Sequence, residues 1–242
     1  MAWEINCDMG EAYGLYEMGD DEGIMPFITV ANVACGFHAA DPMVMRRTVR
    51  LAKRFGVKVG AHPSLPDREG FGRREMKMRP EEITNAVIYQ VGALKGFLEA
   101  EGLPLNHIKP HGSLYGMSAK DPVVATAIAE AASVFGVPLY GMSGTHHETH
   151  YAKSAAFVGE FYADLDYGPD GFLIITREHH AVEPAEAAGR VLRAMNEGKV
   201  RATNGEDFSV RAQSVCVHSD TPGALAVAKA VYEALRPARA AE

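Results

Sequence analysis

The segment at residues 41–57, DPMVMRRTVRLAKRFGV, decides the fold because it marks both ends and the buried face of one helix. Asp41 is suited to the N-cap, where its carboxylate accepts a hydrogen bond from a free backbone N–H, and Pro42 has no N–H to leave unpaired at the first helical position. Gly56 is typical of a helix end. The side chains of one face recur at helical spacing: Val44, Met45, Thr48, Val49, Ala52 and Phe55. The segment predicts an amphipathic helix that ends just before the apolar run beginning at Val57.

A second copy of this unit occurs at residues 121–137, DPVVATAIAEAASVFGV. The Asp-Pro opening and the Phe-Gly-Val ending have the same spacing in both copies. One strand-and-helix unit used repeatedly favours a closed or nearly closed barrel over an open sheet.

Short β-type runs alternate with helical patterns along the whole chain. Further helices are predicted at residues 81–99, 185–197 and 223–235, each directly after a proline. The predicted strands are residues 4–8, 28–35, 57–61, 107–109, 137–141, 156–161 and 214–218, with a weaker one at 172–176. Because parallel neighbours need crossover connections, this alternation predicts a parallel sheet of the α/β class.

Composition limits the classes of function. The 242 residues are 47% hydrophobic and 23% charged, and no linker-like stretch divides them, which predicts one globular domain over residues 1–242 with a tail that frays after about residue 236. A formal net charge of −7 argues against non-specific binding to nucleic acid, which needs a basic surface. No apolar run approaches the roughly 18 residues of a membrane span. The start, MAWEINCDMG, lacks the pattern of a signal peptide.

The cysteines indicate a compartment. Cys7, Cys35 and Cys216 are an odd number, lie far apart and include no Cys-x-x-Cys pair. This fits a reducing cytoplasm better than a disulfide framework. Each lies in a short apolar run and is interpreted as a small buried residue, with a catalytic thiol as the alternative.

Reactive side chains follow the predicted strands at their carboxyl ends, where the connecting loops of a parallel barrel meet and ligands bind. Five such ends carry histidine or aspartate, and four of them carry histidine, out of ten histidines in the chain. Any one of these histidines alone could be structural, but the set favours a shared site. The predicted catalytic residues are Asp8, Glu11, His38, His62, Lys109, His111, His218 and Asp220.

These residue types permit acid–base chemistry. Imidazoles exchange protons near neutral pH, and carboxylates can orient an imidazole, activate water or bind a cation. Lys109 could stabilise a developing oxyanion or a phosphoryl group, with a plain surface charge as the alternative.

A loop at residues 67–74, DREGFGRR, places arginines beside glycines. Its guanidinium groups could bind a carboxylate or phosphate, or could pair with the loop's own acidic residues, and the sequence favours neither. The predicted substrate-binding residues are Asn6, Asn32, Asp41, Arg73, Arg74 and Tyr115.

Other polar clusters carry weaker signals. His146, His147 and His150 lack the order of a zinc-binding helix and are predicted to lie in a surface loop, and the pair at residues 179–180 is also predicted to be exposed. The acidic run at residues 20–22 is predicted to be a solvated loop. The sequence contains no phosphate-binding loop, no dinucleotide-binding glycine pattern and no Gly-x-Ser-x-Gly elbow.

Six motifs in order carry a family resemblance. They are NCDMGE at residues 6–11, ANVACGFHAADP at 31–42, GAHPSLPD at 60–67, GFGRR at 70–74, KPHGSLY at 109–115 and CVHSDTPGA at 216–224. Together they resemble the LamB/YcsF family, the A subunits of the bacterial ATP-dependent 5-oxoprolinase. The family usually has glycine where Ala40 stands.

The resemblance implies an incomplete TIM-like barrel of about seven parallel strands, similar to the glycoside hydrolase/deacetylase group. It also implies hydrolysis of the lactam 5-oxoproline to glutamate with ATP as cofactor and with B and C subunits as partners. On this hypothesis Asp8, His38 or His62 is the base towards water, while Lys109 and His111 stabilise negative charge. His218, oriented by Asp220, protonates the departing ring nitrogen.

Two alternatives stay open. One is a stand-alone metal-dependent hydrolase or deacetylase, in which Asp8, His38 and His62 bind a divalent ion such as zinc or manganese. The other is a regulatory protein that binds a small acid or lactam without turnover.

Overall fold

Parallel strands form the centre of the molecule. The computed structural model describes the backbone of residues 3–176 and 180–240, and the side chains of these residues as far as Arg236. In the described chain seven strands close into a barrel. They are β1 (Glu4–Met9), β2 (Val30–Ala34), β3 (Lys58–His62), β4 (Leu105–Ile108), β5 (Leu139–Gly141), β6 (Phe157–Tyr162) and β9 (Ser214–His218). The predicted α/β barrel of about seven parallel strands is confirmed.

Strand register places the carboxyl ends of neighbouring strands together. On β1, Asp8 lies opposite Asn32 of β2 on one side and opposite His218 of β9 on the other. Strand β6 pairs in parallel with β9, which closes the barrel. The excursion between these two strands contains a separate antiparallel hairpin, β7 (Lys199–Arg201) and β8 (Asp207–Ser209). Three-residue strands are too short to show an alternating pattern, which is why the sequence did not predict them.

Helices surround the barrel. They are α1 (Asp21–Ile24), α2 (Pro42–Phe55), α3 (Pro80–Glu101), α4 (Gly112–Lys120), α5 (Pro122–Ser133), α6 (Pro184–Glu197) and α7 (Ala224–Ala240). Asp41 caps α2 as predicted, accepting hydrogen bonds from the amides of Met43 and Val44, and Gly56 ends it at φ +67°. Asp121 caps α5 in the same way. The long helix α3 packs an apolar face on the barrel through Val87, Val91, Leu94 and Leu98.

Three local features differ from the expectations. Residues 172–176 do not form a strand, and Leu173 makes only an isolated bridge with Tyr167, because this segment crosses the barrel end instead of joining the sheet. Helix α4 was not predicted, since its glycines at 112 and 116 are poor helix formers. Helix α7 continues to Ala240 where fraying was expected, because alanine and arginine, which dominate this end, favour helix.

The barrel interior is polar at mid-height. His107 donates from Nε2 to Asn32 Oδ1 at 2.7 Å, and Asn32 Nδ2 donates to Asn6 Oδ1 at 2.8 Å and to Asp8 Oδ1 at 2.7 Å. The ring of His107 stacks on Tyr140 with centroids 4.0 Å apart. These side chains form a hydrogen-bonded column that leads from the barrel interior to its carboxyl end.

One loop contains a strained residue. Ala40 is buried at φ +67°, in the left-handed region that L side chains adopt at a cost, and its amide donates to the Ala12 carbonyl at 2.9 Å. This bond ties the loop after β2 to the loop after β1. Among the described residues, no helix has the length and apolar character needed to cross a membrane.

Candidate functional site

The loops at the carboxyl end of the barrel bring the predicted residues together. Seven of the eight predicted catalytic side chains are buried there, and they are Asp8, Glu11, His38, His62, Lys109, His111 and His218. The eighth, Asp220, lies at the edge of this group and bonds Arg73. The contacts divide the group into two clusters that meet at His62.

The lysine cluster consists of Asp8, Lys109, Glu160 and Cys216. Lys109 Nζ lies 3.1 Å from Asp8 Oδ1, 3.4 Å from Glu160 Oε2 and 2.9 Å from Cys216 Sγ. Although burial opposes its charge, Asp8, Cys216 and Glu160 hold the pKa of Lys109 well above its usual value. Although burial opposes its ionisation too, His62 and Lys109 hold the pKa of Asp8 well below its usual range. The cluster therefore contains a buried ammonium and a buried carboxylate in contact.

The imidazole cluster consists of Glu11, His38, His62 and His111. His38 Nε2 lies 2.9 Å from Glu11 Oε1, and His111 Nδ1 lies 3.0 Å from His62 Nε2 and 3.4 Å from Glu11 Oε1. The rings of His38 and His111 stack in parallel with centroids 3.8 Å apart. His38 and His111 follow β2 and β4, and His62 is the last residue of β3, which is why residues distant in sequence meet here.

Burial governs the charge of this cluster. It lowers the pKa of His38 well below its usual value, with a further contribution from the neighbouring His62. Burial lowers the pKa of His111 in the same way, with further contributions from the neighbouring His38 and His62. Burial, followed by the charges of Asp220 and Asp8, raises the pKa of Glu11 well above its usual range. His38 and His111 are therefore neutral at physiological pH, in contrast to the ion pair of the lysine cluster.

His62 connects the two clusters. Its Nδ1–H donates to the Lys109 carbonyl at 2.7 Å, which fixes the ring, and its Nε2 lies 3.2 Å from Asp8 Oδ2.

His218 is held by a carboxylate that the sequence did not identify. Asp164 accepts from His218 Nδ1 at 2.9 Å and from the His218 backbone amide at 2.7 Å. Asp220, which was expected to orient His218, bonds Arg73, and Asp164 reaches His218 because it follows β6, the neighbour of β9. Although burial opposes its charge, Asp164 raises the pKa of His218 above its usual value.

The two arginines of the 67–74 loop lie in different environments. Arg73 is 5% exposed, lines the pocket and donates to Asp220 at 2.8 Å. Arg74 is 54% exposed and pairs with Asp67 of its own loop. Both alternatives for this loop therefore occur, one at each arginine.

The remaining predicted substrate-binding residues also lie in different places, and only one of them lines the pocket. Tyr115 lines the pocket, and its buried hydroxyl contacts that of Tyr162. Asn6 and Asn32 belong to the polar column under Asp8. Asp41 does not line this pocket, and besides capping α2 it accepts from the Gly14 amide at 2.7 Å.

Several residues of the site were missed. Glu160 was the only charge in an otherwise apolar predicted strand at residues 156–161, and that isolation was a usable signal. Tyr162 donates to Glu160 Oε1 at 3.1 Å and lines the pocket. Asp164 and His107 were not among the predicted site residues.

Two predictions of exposure were wrong. His147 is buried in a π-helical turn, His147–Tyr151, where its Nδ1 accepts from the Met142 amide at 3.0 Å, and burial lowers its pKa to about 3. Asp21 of the acidic run accepts from the Gly10 amide at 2.9 Å and so anchors α1 to the loop after β1. His180 is exposed as predicted, and residue 179 lies outside the described residues.

The pocket between the two clusters is narrow. Its volume is about 30 Å³, and it is lined by Asp8, His62, Arg73, Lys109, His111, Tyr115, Tyr162 and His218, with Leu165, Leu173 and Ile175 on its apolar side. A water needs about 10–15 Å³, so the pocket has room for about two or three waters and must widen to admit a larger molecule.

Two groups of side chains in the described chain could hold a metal ion. Donor atoms of Glu11, His38, His62 and His111 lie within 4.8 Å of one another, and so do those of Asp8, Cys216 and His218.

Comparisons with known proteins agree along the whole chain. The family model described as "LamB/YcsF family" matches residues 3–241. A protein of Bacillus licheniformis, named as the A subunit of 5-oxoprolinase, is 46% identical over 243 residues, covering 97% of this chain and 95% of its own. The lactam utilization protein lamB of Emericella nidulans is 46% identical over 237 residues, covering 93% of this chain and 90% of its own.

A solved structure matches the fold. The crystal structure of a lactam utilization protein from Thermus thermophilus superposes with a TM-score of 0.90 at 45% sequence identity, covering 99% of this chain and 98% of that one.

Proposed function

The chain belongs to the LamB/YcsF family, and on that premise we propose that it is the A subunit of an ATP-dependent 5-oxoprolinase. With B and C subunits it hydrolyses the lactam 5-oxoproline to glutamate, as a cytoplasmic hydrolase of lactam utilization. The observation that carries the proposal is the convergence of Asp8, His62, Lys109 and His218 on one pocket. Relatives named as 5-oxoprolinase A subunits or as lactam utilization proteins support it.

A lactam is a resonance-stabilised amide that water attacks slowly. Transfer of the ATP γ-phosphoryl group to the amide oxygen makes the ring carbon electrophilic. Water then adds to this carbon, and the ring C–N bond breaks as nitrogen takes a proton, which leaves an acyl phosphate. A second water hydrolyses the acyl phosphate to the carboxylate and inorganic phosphate. The products are glutamate, ADP and phosphate. The chain's own sequence carries no recognised nucleotide motif, which fits ATP binding by a partner subunit.

The two clusters divide this work. Asp8 Oδ2 faces the pocket 3.2 Å from His62 Nε2 and is placed to accept a proton from water. The Lys109 ammonium is placed to stabilise negative charge that develops on the substrate oxygens. His218, whose pKa is raised by Asp164, is the group suited to protonate the ring nitrogen. Arg73 lies on the pocket wall and suits the carboxylate of 5-oxoproline.

The test is reconstitution of the chain with its B and C subunits, ATP and 5-oxoproline, following glutamate and phosphate release. Asp8→Asn keeps the shape of the side chain but removes its charge, and we expect turnover to fall by about 10²–10⁴-fold, as for loss of a general acid–base group. The matched control is Asp207→Asn, which changes a carboxylate paired with Arg193 and Arg201 on the β7–β8 hairpin. Wild-type turnover by Asp8→Asn contradicts the assigned roles. Ligand binding without turnover in the complete mixture contradicts the function and favours a regulatory protein.

A further inference from the structure

We propose that the chain binds one divalent ion of the zinc class through Glu11 Oε1, His62 Nε2 and His111 Nδ1, with His38 positioning Glu11. The three ligand residues are buried, and their donor atoms lie within 4.8 Å of one another. The site goes beyond the proposed function, which names ATP as its cofactor.

Hydrogen bonds on the far side of two rings fix where their lone pairs point. His62 Nδ1 lies 2.7 Å from the Lys109 carbonyl, and His111 Nε2 lies 2.7 Å from the Phe71 carbonyl. A carbonyl only accepts, so each of these nitrogens carries a proton, and the other nitrogen of each ring is the one that can bind an ion through its lone pair. An N–H donated to a backbone carbonyl is the arrangement by which proteins orient metal-binding histidines.

The two lone pairs face each other. His62 Nε2 and His111 Nδ1 are 3.0 Å apart, a distance at which they repel unless a proton or a cation lies between them. Zinc binds imidazole nitrogen at about 2.0–2.1 Å, so two ligands at a tetrahedral angle are about 3.3–3.4 Å apart. The separation between His111 Nδ1 and Glu11 Oε1 is already 3.4 Å. An ion therefore needs His62 and His111 to separate by only a few tenths of an ångström.

His38 is better suited to hold Glu11 than to bind the ion. Its Nδ1 is buried and has no hydrogen-bond partner among the described residues. If Nε2 bound a metal, the proton would sit on Nδ1 as a buried donor without an acceptor, which costs about 1–3 kcal/mol. With the proton on Nε2, His38 donates to Glu11 Oε1 at 2.9 Å and aims that carboxylate. Three protein ligands leave one position open, as in catalytic zinc sites.

The other group of donor atoms already contains a cation. Lys109 Nζ lies 3.1 Å from Asp8 Oδ1 and 2.9 Å from Cys216 Sγ, so its ammonium occupies the place that an ion would take. Arg73, a second cation on the pocket wall, is paired with Asp220. These contacts assign the ion to the imidazole cluster and leave Asp8 beside it as the proton acceptor of the reaction.

The test uses the full chain alone, stripped with a chelator and titrated with Zn²⁺ and, separately, with Co²⁺. We expect one zinc per chain by elemental analysis, a visible cobalt spectrum of low coordination number, and a rise in Tm with Zn²⁺. His111→Ala should weaken zinc binding by about 100-fold or more, because even outer partners of a metal contribute about 10–100-fold. His38→Asn should weaken binding by about 10–100-fold while keeping the cobalt spectrum.

The matched control is His146→Asn, a histidine that precedes the π-helical turn, which should bind zinc as the wild-type chain does. Circular dichroism of each stripped variant separates loss of a ligand from loss of the fold. Wild-type zinc affinity in a folded His62→Ala or His111→Ala variant overturns the site, as does a stoichiometry well below one. Because neither ATP, lactam nor partner subunits enter this measurement, its failure leaves the proposed function standing, and failure of the proposed function leaves the metal site standing.

Discussion

The lysine cluster and the imidazole cluster use similar residue types and reach opposite electrostatic states. In the lysine cluster, Asp8 and Glu160 surround the ammonium of Lys109 within 3.4 Å, so negative charge is balanced inside the protein. In the imidazole cluster, burial without such a counter-ion keeps His38 and His111 neutral and raises the pKa of Glu11. The difference teaches that the charge of a buried group depends on what lies within a few ångströms of it more than on its residue type.

Replacement of Lys109 tests the contrast between the two clusters and has the largest expected effect. Lys109→Met leaves Asp8 and Glu160 as buried carboxylates without a cation. We expect the free energy of unfolding, measured in urea at neutral pH, to fall by about 3–5 kcal/mol, and turnover of the reconstituted enzyme to be lost. Adding Glu160→Gln should restore part of the stability but not the turnover. Unchanged stability in Lys109→Met would show that the cluster does not depend on its cation.

The pocket wall offers a sharper test with two adjacent arginines. Arg73→Ala removes a buried guanidinium that lines the pocket, so KM for 5-oxoproline should rise by about 10–100-fold, as expected from loss of a charged hydrogen bond. Arg74→Ala removes an exposed partner of Asp67 and should leave KM unchanged, with a stability loss of at most about 1 kcal/mol. Steady-state kinetics of the two variants decide this, and equal effects would remove Arg73 from substrate binding.

The pH dependence of activity distinguishes His218, whose pKa is raised, from His38 and His111, whose pKa values are lowered. Asp164 raises the pKa of His218, which acts as an acid, so activity is present while His218 is protonated and falls as pH rises through its pKa. Asp164→Asn should therefore move the basic limb of the kcat profile to lower pH, because it removes the charge that raises the pKa of His218.

The contact between His218 and Asp164 also makes the free energy of unfolding depend on pH, with the same direction as the activity. Because the pKa of His218 is raised in the folded state, the stability it contributes is fully present below its unfolded pKa of about 6.5 and is lost as pH rises through the folded value. Asp164→Asn should abolish this part of the pH dependence in urea unfolding. A basic limb that does not move would assign the proton donor to another residue.

The smallest effect is expected at Asp41, which lies outside the pocket. Asp41 was predicted to bind substrate, yet its carboxylate caps α2 and does not line the pocket. Asp41→Ala should lower the free energy of unfolding by about 1 kcal/mol, the usual value of an N-cap, and leave KM unchanged. A higher KM with unchanged stability would return Asp41 to the substrate site.

The sequence predicted elements whose signals are local. Asp41 and Gly56 mark helix ends within one segment, and the histidines after β2, β3 and β4 follow short apolar runs. Repetition of such segments predicted the barrel. The histidines were predicted to lie together at one end of it because parallel strands share a direction.

The pairing of charges could not be read in the same way. Asp164 meets His218 across 54 residues of sequence, and Asn6 meets Glu160 across 154, because the closing contact of β6 with β9 sets their register. Asp220 stands only two residues after His218 in the sequence, and it bonds Arg73 of a different loop. Contacts across a closed barrel depend on register and closure, which a single sequence does not display.

The packing of Gly60 has a consequence for genetics. Gly60 lies on β3 against the His107 ring, and a Cβ added there would fall among the ring atoms, with Tyr140 stacked on that ring. His107 holds Asn32, and Asn32 holds Asp8. An inherited Gly60→Ala allele would therefore displace Asp8 through His107 and Asn32. A screen for inactive alleles would recover it, although residue 60 does not line the pocket.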